Sequence, residues 1–182
     1  MVEILKEINV RTGLRAFDTK PITDEMLESI LEAGRLAPSC ANTQEWHFIA
    51  IKEPDALERA HEAVSRGNSW GFRAPLMLVI VTREDGGCGA HGLPYWMMDV
   101  GLATQNILLQ SFHLGLIAHP TAGWDEGILK SVLGIPDEYR IGTVIYIGYP
   151  GDVSLLDEHN QEREKAPRKR KTFEEIVHYN KW

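Results

Sequence analysis

Cysteine is scarce. Cys40 and Cys88 are the only two in 182 residues, which excludes a disulfide framework as the basis of the fold. Positive charge is outweighed too: 19 Lys and Arg face 26 Asp and Glu, for a formal net charge of -7. That balance argues against the extended positive surface that non-specific nucleic-acid binding requires. The longest apolar segment, from about Tyr95 to Leu116, is broken by Asp99, Gln105, Asn106, Gln110 and His113. It reads as a buried helix and not as a membrane span. The start, Met1 to Lys6, lacks the basic region and apolar run of a signal peptide, so the expected compartment is cytoplasmic.

What is present is an ordinary globular balance, 43% hydrophobic and 25% charged, in a chain long enough for one domain over residues 1–182. Thr23 to Ala37 carries a helical apolar stripe, with Thr23 as cap and Pro38 as stop. Trp46 to Ile51 reads as a strand and Pro54 to Val64 as a helix with proline at its start. Pro75 to Thr82 is a continuous apolar run, the mark of a strand covered on both faces. A Gly-rich loop, Asp85 to Pro94, leads into the long helix. Strands are expected at Gly115–Ala118 and Thr143–Gly148, with a helix from about Asp125 to Leu133 between them. Gly151 to Pro167 is polar and reads as a surface run. A last helix, Thr172 to His178, offers Phe173, Ile176 and Val177 for packing. The order predicts an α+β fold, a central sheet flanked by helices with a long buried helix in the middle.

Three polar segments stand out against this frame. In Arg11-Thr12-Gly13-Leu14-Arg15-Ala16-Phe17 the two arginines are four apart and face one side. Such a pair suits a phosphate, or it is simply two solvated charges. Pro38-Ser39-Cys40-Ala41-Asn42-Thr43-Gln44-Glu45-Trp46 gathers donors and acceptors fit for a flavin's pyrimidine edge. Equally, it is a turn whose side chains bond their own backbone. In extended chain, Arg168 and Arg170 point to one face and Lys169 and Lys171 to the other. That run reads as a solvated tail or a weak nucleic-acid contact.

The conjunction resembles the FMN-dependent nitroreductase family. Arg11 to Phe17 is similar to that family's opening R-R-S-x-R-x-F, and Ala37 to Phe48, A-P-S-C-A-N-T-Q-E-W-H-F, is similar to its A-P-S-x-x-N-x-Q-P-W-x-F. Ala74-Pro75, Asp99, Gly115-Leu116, Leu133 to Pro136 and Gly148 to Pro150 fall in the family's order. Arg170 to His178 resembles its closing R-K-P-L-E-E-I-V-H. The resemblance covers nearly the whole chain and implies a mixed central sheet.

It also implies FMN as cofactor, NAD(P)H as reductant, and a homodimer with a shared cofactor site, without nucleic acid or membrane as partner. The reaction implied is ping-pong hydride transfer to a small acceptor such as a quinone or nitroaromatic. Arg11, Arg168 and Arg170 match phosphate ligands, and Arg15 a cation near the phosphate or the flavin N1–O2 edge. Ser39 and Asn42 match residues that reach the partner's cofactor, with Gln44 on the same loop. Asn68 matches a flavin-contacting asparagine. The loop His119 to Asp125 takes the place of backbone facing the flavin N5 side. Thr12 and Gly13 lie in the phosphate segment, where Gly13 replaces a serine; Glu45 replaces a proline. Flavin storage without turnover, reductive dehalogenation and flavin fragmentation are the alternatives. Cys88 and His91 lie close enough to suggest metal ligands, but lack the other half of a four-ligand set. His113 reads as a core histidine, Asp99 as bonding locally in its helix, and Trp70 and Trp124 as packing or pocket-lining residues.

Overall fold

The computed structural model describes residues 3–85, 88–90 and 92–182. Its centre is a four-stranded sheet built from β1 (Trp46–Ile51), β2 (Leu76–Arg83), β5 (Ile117–Thr121) and β6 (Tyr139–Gly148), in the order β1-β2-β6-β5. Each neighbouring pair is antiparallel, whereas the family resemblance implies a mixed sheet. The reason is topological. The long helix α4 (Trp96–His113) connects β2 to β5, which run the same way, but β6 inserts between them and opposes both. Two-residue strands β3 (Gly89–Ala90) and β4 (Leu93–Pro94) form a separate ladder before α4.

β2 is buried from Leu76 to Thr82 because both of its faces are covered. Met77, Val79 and Val81 join Phe17, Trp70 and Tyr146 in one core; Leu76, Leu78 and Ile80 join Ile30 and Ile107 in the other. This explains why the run does not alternate in hydrophobicity while its side chains still alternate in direction. The second core is closed by α2 (Asp24–Arg35) lying against α4. Thr23 caps α2, its Oγ1 accepting from Met26 N at 3.3 Å. Asp125 does the same for α5 (Glu126–Leu133), accepting from Ile128 N at 2.9 Å. Helix α3 (Pro54–His61) begins on its proline, as expected. Pro120 is tolerated in β5 because that strand is the edge of the sheet.

Several expectations fail, for identifiable reasons. The polar stretch 151–167 is not an irregular surface run: Glu158–Lys165 form helix α6, capped by the Asp157 side chain. A helix polar all round has no apolar period to betray it. The last helix, α7, is confined to Phe173–Ile176, and Phe173 and Ile176 are exposed rather than packed. α4 buries one face, with Val100, Ala103 and Ile107, but leaves Met97 and Met98 exposed. His113 is an exposed residue at the end of α4, 3.1 Å from Glu7 of α1 (Lys6–Val10). No described helix is long and apolar enough to cross a membrane.

Candidate functional site

The two ends of the chain meet. Helix α1 stops at Val10, and the extended segment after it runs past the basic segment that precedes α7. Arg168 fastens them, its Nη1 donating to Ile8 O at 3.1 Å and Arg11 O at 3.5 Å. Between them lies a cavity of about 210 Å³ lined by Arg11, Thr12, Gly13, Arg168 and Arg170. Lys169 is not among its lining residues, as the extended reading of the tail requires. Arg163 and Glu164 complete the wall from α6. Four arginines and one glutamate therefore line one small space. Burial pulls the Arg11 guanidinium below its usual range, and the neighbouring Arg168 and Arg170 pull it the same way. An anion relieves that repulsion.

Arg15 does not stand beside Arg11 in the cavity wall. Its guanidinium lies over the Trp70 ring, 5.6 Å from the centroid, and Nη1 donates to Gly13 O at 3.3 Å. Its backbone N–H donates to Glu164 Oε1. Its Nε is buried and has no partner among the described residues. Trp70 in turn packs on His119, with ring centroids 4.4 Å apart, and on Phe17 and Tyr146. His119 Nδ1 is 3.0 Å from Leu14 O. Since a carbonyl only accepts, Nδ1 carries the hydrogen of the neutral ring. Burial holds His119 well below the usual histidine range, at about 4. The bond to Leu14 opposes that shift, and Arg15, Arg163 and Arg11 reinforce it.

This ring also accounts for Gly13. A Cβ there would come within 3.3 Å of His119 Cε1 and 3.4 Å of Nδ1. Gly13 thus stands where any side chain would press on the imidazole.

The other expected site residues lie elsewhere in the protomer. Ser39, Asn42 and Gln44 form a separate loop before β1, with Asn42 and Gln44 exposed. Ser39 Oγ accepts from Gln44 N at 3.0 Å, and Gln44 Nε2 donates to Asn42 O at 3.2 Å. Within this protomer the loop bonds itself, the blander of its two readings. Ala41, Asn42 and Gln44 adopt φ values of 50°, 57° and 53°, a left-handed backbone uncommon outside glycine. Asp99 ties the loop to α4: it is 1% exposed, and Oδ1 accepts from Cys40 N at 3.1 Å. It therefore bonds across 59 residues and not within its helix. Asn68 Nδ2 reaches Ser65 Oγ at 3.2 Å and Gly123 O at 3.4 Å, two residues ahead of the Trp70 that supports Arg15. Trp70 itself is a packing residue.

Sequence reasoning missed Arg163, because α6 went unrecognised, and it missed the bridge between Cys40 and Cys88. The even count and the Gly-rich setting of Cys88 were the only signals for that bridge. Among the described residues no group of His, Cys, Asp and Glu could hold a metal; His91 lies outside them.

An α+β fold whose two chain ends converge on a cationic pocket defines the class. The nitroreductase family model matches residues 8–69 and 65–149, and the chain belongs to the nitroreductase family. It is 34% identical to a protein of Archaeoglobus fulgidus provisionally named NADH dehydrogenase/NAD(P)H nitroreductase. That match spans 157 residues, 84% of this chain and 88% of the relative. It is also 23% identical to mouse (Mus musculus) iodotyrosine deiodinase 1 over 186 residues, 85% of this chain and 65% of that one. Among solved structures it is similar to an oxidoreductase containing FMN, with a TM-score of 0.89, 28% identity, and coverage of 100% of this chain and 93% of that one.

Proposed function

We propose that the protein is an FMN-dependent NAD(P)H oxidoreductase acting on a small acceptor such as a quinone or nitroaromatic. The observation that carries this reading is the convergence of Arg11, Arg163, Arg168 and Arg170 on one cavity. A flavin mononucleotide ends in a phosphate, which takes charge-assisted bonds from planar guanidinium groups. The group fits the residues present: the Arg11 guanidinium, disfavoured by burial and by the neighbouring Arg168 and Arg170, would gain a counter-ion, and the buried Arg15 Nε, unpartnered among the described residues, would gain an acceptor. Bound FMN supplies the redox chemistry, accepting hydride from the nicotinamide and passing reducing equivalents to the acceptor. The chain's own residues position and polarise. Arg15, propped on Trp70, would set its positive charge against the negative charge that a reduced flavin accumulates. His119, neutral, holds the Leu14 carbonyl and so the shape of the phosphate segment.

The site is completed by a second copy of the chain in this reading. Ile4, Leu5, Ile8 and Val10 at one end and Phe173, Ile176, Tyr179 and Trp182 at the other are exposed in the protomer. In this reading those side chains supply the association surface. It would bring Ser39, Asn42 and Gln44 of one protomer to the cofactor of the other. A two-fold pair makes two such sites from one interface.

The visible spectrum tests the assignment. The purified protein, or the protein given FMN, is expected to be yellow, dimeric and bleached within minutes by NADH or NADPH; a quinone restores the colour. Bound flavin that neither nicotinamide bleaches would leave a storage role instead. The similarity to iodotyrosine deiodinase 1 favours reductive dehalogenation as a second reading. Release of halide from a halophenol by the reduced protein, with quinones untouched, would select it.

A further inference from the structure

Cys40 and Cys88 are joined across 48 residues, with Cα atoms 5.9 Å apart, a separation that a disulfide spans. Both cysteines are half-buried, so neither is sealed in the core. Cys40 opens the loop with the left-handed residues Ala41, Asn42 and Gln44. Such conformations persist only while the surroundings over-determine them. The described restraints are few: the Asp99–Cys40 hydrogen bond, the two side-chain bonds within the loop, its short backbone turn, and the bridge to Cys88.

We infer that the Cys40–Cys88 pair is a thiol–disulfide exchange site whose oxidation state sets the order of the loop over residues 39–44. The co-reactant is a small monothiol of the glutathione class. Asp99 is almost wholly buried, and its Oδ2 has no partner among the described residues. Its carboxylate lies at the Cys40 backbone and disfavours a thiolate on that residue. The better leaving group is therefore Cys88.

An incoming thiolate attacks Cys40 Sγ, and the Cys40–Cys88 bond breaks as a mixed disulfide forms on Cys40. Cys88 leaves as thiolate and takes a proton from water. A second thiolate attacks the outer sulfur of the mixed disulfide. The external disulfide departs, and Cys40 leaves as thiolate and is protonated in turn. The bridge gains two electrons and two protons, and two external thiols become one disulfide. In a reducing compartment a bridge of this kind is a transient or sensing device and not a permanent staple.

The test equilibrates the full-length protein in glutathione buffers of graded redox poise and counts free thiols by maleimide mass shift. No free thiols under oxidising and two under reducing conditions are expected. Two free thiols persisting in oxidised glutathione overturn the inference. Hydrogen exchange then reads the loop amides of Asn42, Thr43 and Gln44, which are hydrogen-bonded in the bridged form. They are expected to exchange at least tenfold faster after reduction, and Cys88→Ser should show the fast rate in both buffers. Equal rates in oxidised and reduced protein overturn the control of the loop. Trapped glutathione is expected mainly on Cys40, and Asp99→Asn should erase that preference; an adduct mainly on Cys88 refutes the role given to Asp99. The consequence for cofactor affinity rests on the FMN reading: reduction should change the FMN Kd at least threefold. If neither form binds FMN, that reading fails alone, because thiol count and loop exchange decide the exchange site without it.

Discussion

Replacing Arg170 by alanine separates what the cationic cavity does for binding from what it costs the fold. The only hydrogen bond that Arg170 makes among the described residues is local, Nη1 to Lys169 O at 2.7 Å, so truncation removes no tertiary tie. It does remove one of the two charges that press on Arg11. On the scale of exposed charge pairs, relief of that repulsion is worth up to about 1 kcal/mol. In a chain of this length that is a rise of about 2–4 °C in Tm at low salt, without ligand. FMN affinity should move the opposite way. Loss of a charge-assisted hydrogen bond is worth about 1.5–3 kcal/mol, or roughly ten- to a hundred-fold in Kd. Thermal unfolding of the flavin-free protein at low and high salt, with fluorescence titration by FMN, reads both effects. The rise in Tm should shrink as salt screens the charges. A variant that loses stability without ligand, or binds FMN as before, would refute the claim that these arginines are held together for an anion.

Arg163→Ala should weaken FMN to a similar degree, whereas Lys169→Ala should matter less, because Lys169 does not line the cavity; titration of the pair decides. Gly71→Ala should lower stability by about 1–3 kcal/mol in urea unfolding, since the added methyl overlaps the buried Tyr146 ring. Acid should destabilise the protein well before the carboxylates titrate. Burial holds His119 and His61 at about 4 in the fold, below the ordinary histidine value of 6.5. The unfolded chain therefore binds more protons between those values. Their contribution is complete above about pH 6.5 and is lost as pH falls towards 4. Urea midpoints across that window should fall, and His119→Gln should flatten part of the slope.

How legible the molecule is in its sequence depends on what holds each part. β1, β2 and α2 could be read because burial wrote a period or an apolar run into them, and Thr23 and Pro54 mark helix starts by local chemistry. α6 was invisible for the complementary reason: its eight residues, Glu158 to Lys165, are held by a cap and by polar contacts rather than by an apolar stripe. Arg163 was lost with it. His113 looked like a core residue because its neighbours are apolar, yet it sits at the helix end where the chain turns outward. Asp99 could not be paired with Cys40 from spacing alone, since that bond depends on how α4 lies behind the loop. The basic pair Arg168 and Arg170 could be aligned with Arg11 only by resemblance; no local rule brings residues so far apart in sequence together.

The contact between Gly13 and His119 constrains how this chain can change. Serine at position 13 is one substitution away in principle, but its Cβ meets the imidazole that braces Leu14. The imidazole must give by a few tenths of an ångström to admit it, which strains the bond to Leu14 O, whereas shrinking 119 first gives up that brace. The two positions are therefore coupled through one contact. Gly13→Ser should weaken the protein alone and be tolerated with His119→Ala, and a double-mutant cycle should return a coupling of about 1 kcal/mol. Relatives with serine at the position of Gly13 should carry a smaller side chain at the position of His119. A hydroxyl ligand and a histidine brace are then two alternative ways of building the same loop, each setting the size of side chain that the other position accepts.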